Sequence, residues 1–134
     1  MTYLELQQKH MDELDNFKGI FHAFSDSQFK DGLKKFGLKP EDAKENVAFL
    51  HSGSYILKNR GDAFSSMLNA HHAEKQELLK DEQFLLRALT YELCNHEYCY
   101  NHDPTDALDT LGLDYEDVPR DIMIKATKEA KKAG

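Results

Sequence analysis

The chain has 134 residues, 40% of them hydrophobic and 31% charged. This is the balance of a folded globular protein that can bury a core, not of a disordered chain. Twenty-four acidic residues against 17 basic ones leave a net charge of −7, which argues against nucleic-acid binding, since that usually needs a basic stripe. No apolar run approaches the roughly 18 residues of a membrane span, and the opening MTYLELQQKHMDEL has no basic segment followed by an apolar one. A single cytoplasmic domain over 1–134 is expected, with no membrane association.

In chain order, Thr2 and Glu5 have capping-box spacing and open a helix to about Asp15, with Leu4, Leu6, Met11 and Leu14 as its loose apolar pattern. Gly19 and Ser25 bound the short aromatic run Ile20 to Phe24, which reads as a strand with His22 opposite Phe21 and Ala23. Ser25 and Gln28 cap the second helix. Phe24 and Phe29 have the spacing of a hydrophobic staple, and Phe29, Leu33 and Phe36 line one face. Gly37 and Leu38 stop that helix, and Pro40 starts a helical turn to about Lys44.

Residues 47–58 alternate as a β-hairpin about Ser52-Gly53, with Val47, Phe49 and His51 on one face. Asp62 is expected to cap a helix to about Leu79, with Phe64, Leu68, His71 and Leu78 near one stripe. A turn near Lys80 to Glu82 then leads into a helix over about Glu82 to Tyr98, although one bent helix is the competing reading. Leu85, Leu89, Glu92 and His96 fall on one face of the later helix. Asp103 and Pro104 start another that closes at Leu111-Gly112-Leu113, a Gly/Leu stop like the one at Phe36-Gly37-Leu38. Glu-Asp follows each stop (Glu41-Asp42, Glu116-Asp117), but nothing else aligns as a repeat. The last helix starts near Pro119, and the lysines of its tail suit a helix C-terminus.

Chemistry concentrates in residues 91–103, YELCNHEYCYNHD, with two histidines, both cysteines and three tyrosines. Cys94 and Cys99 would diverge by about 140° on one helix, so both are expected as free thiols. If 62–79 and 82–98 pair antiparallel, His71 meets the level of Thr90 to Glu92, with His96 one turn further on. A buried Glu92 is then expensive unless His71 and His96 hydrogen-bond to it. Such a cluster has three readings: a satisfied polar core, a metal site on Glu92, His96 and His71 or His72, and a catalytic or ligand site using His96, Glu97 and Tyr98. HEXXH, CXXC spacing, a serine or cysteine nucleophile motif and a phosphate-cradling glycine loop are all missing from the sequence. The polar-core reading is therefore preferred, with no metal and no cofactor expected.

FHAFSDSQFKDGLKKFGL (21–38), YELCNHEY (91–98) and the following D-x-x-x-x-L-x-x-LGL (Asp103, Leu108, Leu111, Gly112, Leu113) carry a resemblance. The chain resembles an uncharacterised family of small proteins from low-GC Gram-positive bacteria and their phages. In that family the NHEY segment is the signature, which implicates Asn95, His96, Glu97 and Tyr98 in ligand or partner binding. Cys94 and Cys99 lie outside the pattern, which weakens a thiolate metal site. The resemblance implies a phage or mobile-element context and supplies no activity.

The expected fold is α+β: helices packed around a small two- or three-stranded antiparallel sheet, with a helical pair at 62–98. The expected function is that of a small non-catalytic binding or regulatory protein acting on a protein partner. The alternatives are a small metal-dependent or acid–base enzyme using His71, Glu92, His96 and Glu97, and an assembly protein whose oligomer is its function.

Overall fold

The computed structural model describes residues 1–132 and is α+β: eight helices and one three-stranded antiparallel sheet among the described residues. By its internal contacts the chain divides into two compact units, residues 11–70 and residues 1–10 with 71–134. Helices α1 (Tyr3–Asp15) and α4 (Gly61–Leu78) each contribute residues to both. Among the described residues no helix is long and apolar enough to cross a membrane.

The unit of residues 11–70 holds the one-turn helix α3 (Ala43–Asn46) and the sheet, made of β1 (Ile20–His22), β2 (Val47–His51) and β3 (Ser54–Leu57) in the order β1-β3-β2. Phe21 and Phe49 both pair with Tyr55, so three aromatic rings share one face. Helix α2 (Asp26–Lys35) brings Phe29 and Leu33 to the core of Phe21, Ala23 and Leu33, against which Phe36 and Tyr55 also pack. The backbone must come close here. A β-carbon on Gly32 would collide with the Phe21 ring. The expected hairpin is present, with Ser52 and Gly53 both at positive φ in its turn. Its predicted face is corrected, however. A bulge between Phe49 and His51 moves His51 opposite Ser54, which also pairs with His22, so His51 leaves the face of Phe49.

The other unit is built on α5 (Glu82–Asn95), which packs chiefly on α8 (Arg120–Lys132) and on α7 (Thr105–Leu111). Leu85, Ala88, Leu89 and Leu93 of α5 meet Leu108 and Leu111 of α7 and Ile122, Met123 and Ala126 of α8 in one buried cluster. Tyr3 and Leu6 complete it from α1. The capping box of that helix forms as expected, Thr2 N–H donating to Glu5 and Glu5 N–H to Thr2. Its buried residues are Tyr3 and Leu6, whereas Leu4 and Met11 of the predicted apolar pattern are exposed.

The two helices read over 62–98 are distinct, α4 ending at Leu78 and α5 starting at Glu82 with the Asp81 side chain accepting from Phe84 N–H. The antiparallel register expected between them is not adopted. No residue of α4 is buried, and α5 takes α8 and α7 as its main neighbours instead. Helix α5 also stops three residues short of the expected Tyr98, and the short α6 (Tyr98–Asn101) follows.

Both Gly/Leu stops form. Leu38 N–H donates to Leu33 C=O, and Leu113 N–H to Leu108 C=O, with Gly37 and Gly112 left-handed. After each, an aspartate of the Glu-Asp pair accepts from the backbone N–H three residues before it (Asp42 from Lys39, Asp117 from Asp114). The likeness is one of local capping. The lysines of the tail stand in α8, with Lys131 and Lys132 in its last turn.

Candidate functional site

Glu92 stands where the α5 apolar stripe turns towards the core, and it is 2% exposed. A carboxylate there is costly unless every lone pair is used. The Tyr3 hydroxyl donates to its Oε1 at 2.7 Å, and the Gln7 amide donates both to Oε1 at 3.4 Å and to the Tyr3 oxygen at 3.2 Å. Burial, then the hydrogen bond to Glu92, pushes the Tyr3 hydroxyl pKa well above its ordinary value, so Tyr3 is held as a proton donor. One turn on, His96 Nε2 lies 3.4 Å from Glu92 Oε2 and 3.1 Å from Thr110 Oγ1. The Thr110 hydroxyl proton is already directed at Asp106 C=O, 2.9 Å away. The Nε2 atom of His96 therefore carries the hydrogen, shared between the threonine oxygen and the carboxylate.

Of the three residues expected to cluster, the structure brings Glu92 and His96 together. His71 has its ring stacked on His10 at 4.0 Å, and His10 is paired with Glu74 at 2.8 Å. Lys9 is 2.7 Å from the other Glu74 oxygen, and these two donors hold that carboxyl below its usual pKa, Lys9 contributing most. Sequence reasoning missed Tyr3 and Gln7, which lie 89 and 85 residues from Glu92. The available signal was chemical: a buried tyrosine needs a partner for its hydroxyl.

The NHEY segment divides by side. His96 caps the C-terminal end of α5, and Asn101 reaches back to its carbonyl. Glu97 follows with φ of 60°, a left-handed backbone that only glycine adopts without strain, and its side chain is exposed. That sharp reversal drops Tyr98 into the core, 8% exposed, so of the residues implicated in ligand or partner binding Tyr98 is withdrawn from the surface. Asn95 and Glu97 remain outside. Cys94 and Cys99 are free thiols, as expected. Among the described residues no group of three or more His, Cys, Asp or Glu side chains is placed to hold a metal ion.

A second feature lies in the unit of residues 11–70, where Ala23, Phe24, Ser25, Asp26, Phe29, Gly53 and Tyr55 line a shallow open cleft. The Ser25 hydroxyl accepts from Gln28 N–H as expected, but the Gln28 side chain accepts from Phe24 N–H instead of Ser25 N–H, so only half of a capping box forms. The Phe24 ring is 79% exposed, so the expected staple to Phe29 does not bury it. Phe49, 63% exposed, stands edge-on to Tyr55. Tyr55 in turn contacts the rings of Phe21 and Phe29. The aromatic stack of the sheet thus begins inside the core and ends in solvent.

Residues 2–133 match the family of unknown function DUF7659, and the chain belongs to that family. Over 75 residues it is 35% identical to an adenylyl-sulfate kinase of Staphylococcus haemolyticus (strain JCSC1435), a match covering 53% of this chain. The match spans 36% of the length of that curated relative. No solved structure matches the chain.

Proposed function

We propose that this member of the DUF7659 family is a non-catalytic binding or regulatory protein that docks on a protein partner, and that it serves a phage or mobile element of low-GC Gram-positive bacteria. The observation that carries the binding role is the exposed end of the aromatic stack. Phe24 and Phe49 stand in water beside Phe29 and Tyr55, although each could contribute about 1.5–3 kcal/mol if buried. Rigid aromatic side chains presented in this way are what interface anchors are made of. The NHEY reading puts Asn95 and Glu97 at a second exposed spot, on the left-handed turn that ends α5.

The enzyme alternative asks Glu92 to reach a substrate, yet Tyr3, Gln7 and His96 surround its carboxylate. The segment shared with the adenylyl-sulfate kinase does not suggest phosphoryl transfer here, because the chain has no G-x-x-x-x-G-K-[ST] loop to cradle phosphates. A relative in a staphylococcus agrees with the Gram-positive context.

The test compares the native chain with Phe24→Ser and Phe49→Ser, whose denaturation midpoints should match or exceed the parent's because both rings are already exposed. Cross-linking in lysate of a Gram-positive host, read by mass spectrometry, should trap one partner with the native chain and lose it in both variants. A partner retained by both removes the aromatic patch from the proposal. A turnover that vanishes in Glu92→Gln while the fold persists replaces the binding reading with the enzymatic one.

A further inference from the structure

We propose a separate ligand site in the unit of residues 1–10 and 71–134, between the first turn of α1 and the outer face of α5, that binds a small amphipathic monocarboxylate: an alkyl or aryl body with one carboxylate head. The cleft there has a volume of about 360 Å³ and is lined by Thr2, Tyr3, Leu4, Arg87, Thr90 and Tyr91. This is the size of sites that hold small organic molecules.

Its walls are apolar. The rings of Tyr3 and Tyr91 meet edge-on at 5.7 Å, and Tyr3 is buried while Tyr91 is 40% and Leu4 55% exposed. The cleft thus presents one covered ring and two uncovered apolar side chains. The Tyr3 and Thr90 hydroxyls are already spent, the first on Glu92 and the second on Leu86 C=O. They offer a ligand little beyond their carbon surface.

What remains is Arg87. It is the one charged residue of the lining, and its guanidinium has no ion pair or hydrogen bond among the described residues. Acidic residues outnumber basic ones 24 to 17 in this chain, so an arginine left without a carboxylate beside an apolar cleft marks an unmatched positive charge. A planar guanidinium pairs best with a carboxylate, through two parallel N–H···O bonds. A single cation suits a single negative charge, and a phosphate monoester would leave charge unmatched. No acidic side chain lines the cleft to repel the head group.

The experiment titrates the full chain with octanoate, octan-1-ol and octylammonium, following backbone amide NMR shifts of Tyr3, Leu4 and Tyr91. Octanoate should give saturable shifts at these amides, with octan-1-ol and octylammonium weaker by about tenfold or more. Arg87→Gln should remove the preference for octanoate and leave octan-1-ol unaffected, and raised salt should weaken octanoate alone. Leu4→Glu should lose octanoate, because it sets a carboxylate at the cleft. Both side chains are exposed, so both variants should keep the parent's denaturation midpoint. Octanol binding as tightly as octanoate, an unchanged octanoate affinity in Arg87→Gln, or no saturable shift at these amides would each overturn the proposal.

Discussion

At the scale of single residues, the Tyr3–Glu92 bond shows how one hydroxyl makes a buried carboxylate tolerable. Tyr3→Phe keeps the ring and deletes the donor, leaving Glu92 with Gln7 and His96. The expected cost is about 1–3 kcal/mol in urea unfolding, the range for a bond to a charged buried group. The pH dependence follows from the raised Tyr3 pKa. The folded state holds this proton more tightly than the unfolded state does, so the contribution is complete below about pH 10, the ordinary tyrosine value, and is lost as pH rises above it. The native chain should therefore lose stability above about pH 10 more steeply than Tyr3→Phe, and parallel slopes would refute the coupling.

Glu97 and Tyr98 give opposite expectations. Glu97→Gly relieves a left-handed backbone and should raise stability by about 1 kcal/mol. Tyr98→Ala empties a core site and should cost about 3–5 kcal/mol. Equal destabilisation by both would mean that Glu97 is held by contacts that outweigh its strain.

At the scale of elements, much was legible because local chemistry decided it. The capping box at Thr2/Glu5, the Ser25 cap on Gln28 N–H, the Ser52-Gly53 turn and the two Gly/Leu stops each depend on residues within five positions of one another. What was not legible depended on distant residues or on strain. Nothing within Asn95 to Tyr98 announces a helix break, since glutamate is a good helix former and its left-handed backbone is imposed by the burial of Tyr98. The bulge that turns His51 leaves no mark in the alternation of Val47, Phe49 and His51. Nor does periodicity reveal that α5 would choose α8 and α7 over α4. Gly112 tests the local part. Its φ is 69°, and a β-carbon there would sit 2.9 Å from the Gln76 amide nitrogen, which donates to Leu111 C=O. Gly112→Val should cost about 2 kcal/mol or more through backbone strain and displacement of that amide. An unchanged urea midpoint would show that the helix can stop another way.

At the scale of the whole molecule, the two units differ in how much apolar surface secures them. Among its described residues, the unit of residues 1–10 and 71–134 gathers seventeen buried residues into one cluster, with Ala88, Leu89, Leu93, Leu111 and Ala126 fully covered. The unit of residues 11–70 has a cluster of three, Phe21, Ala23 and Leu33, surrounded by rings that are only partly covered. Its sheet has three short strands, two of them edges. Local opening requires less apolar exposure where less is buried, so the sheet should open without disturbing α5 and α8. Amide hydrogen exchange under native conditions measures this directly. Amides of α5 and α8 near Leu89 and Ala126 should exchange slowest, through global unfolding. Those of β1 and β3 near Phe21 and Tyr55 should exchange through a smaller opening, lower by about 2 kcal/mol or more, roughly thirtyfold in rate. Low denaturant should accelerate α5 and α8 while leaving the sheet amides nearly unchanged, because a local opening exposes little surface. If sheet and helix amides instead share one free energy and one denaturant slope, the chain opens as a single cooperative body. The exposed aromatic stack would then be held as firmly as the core.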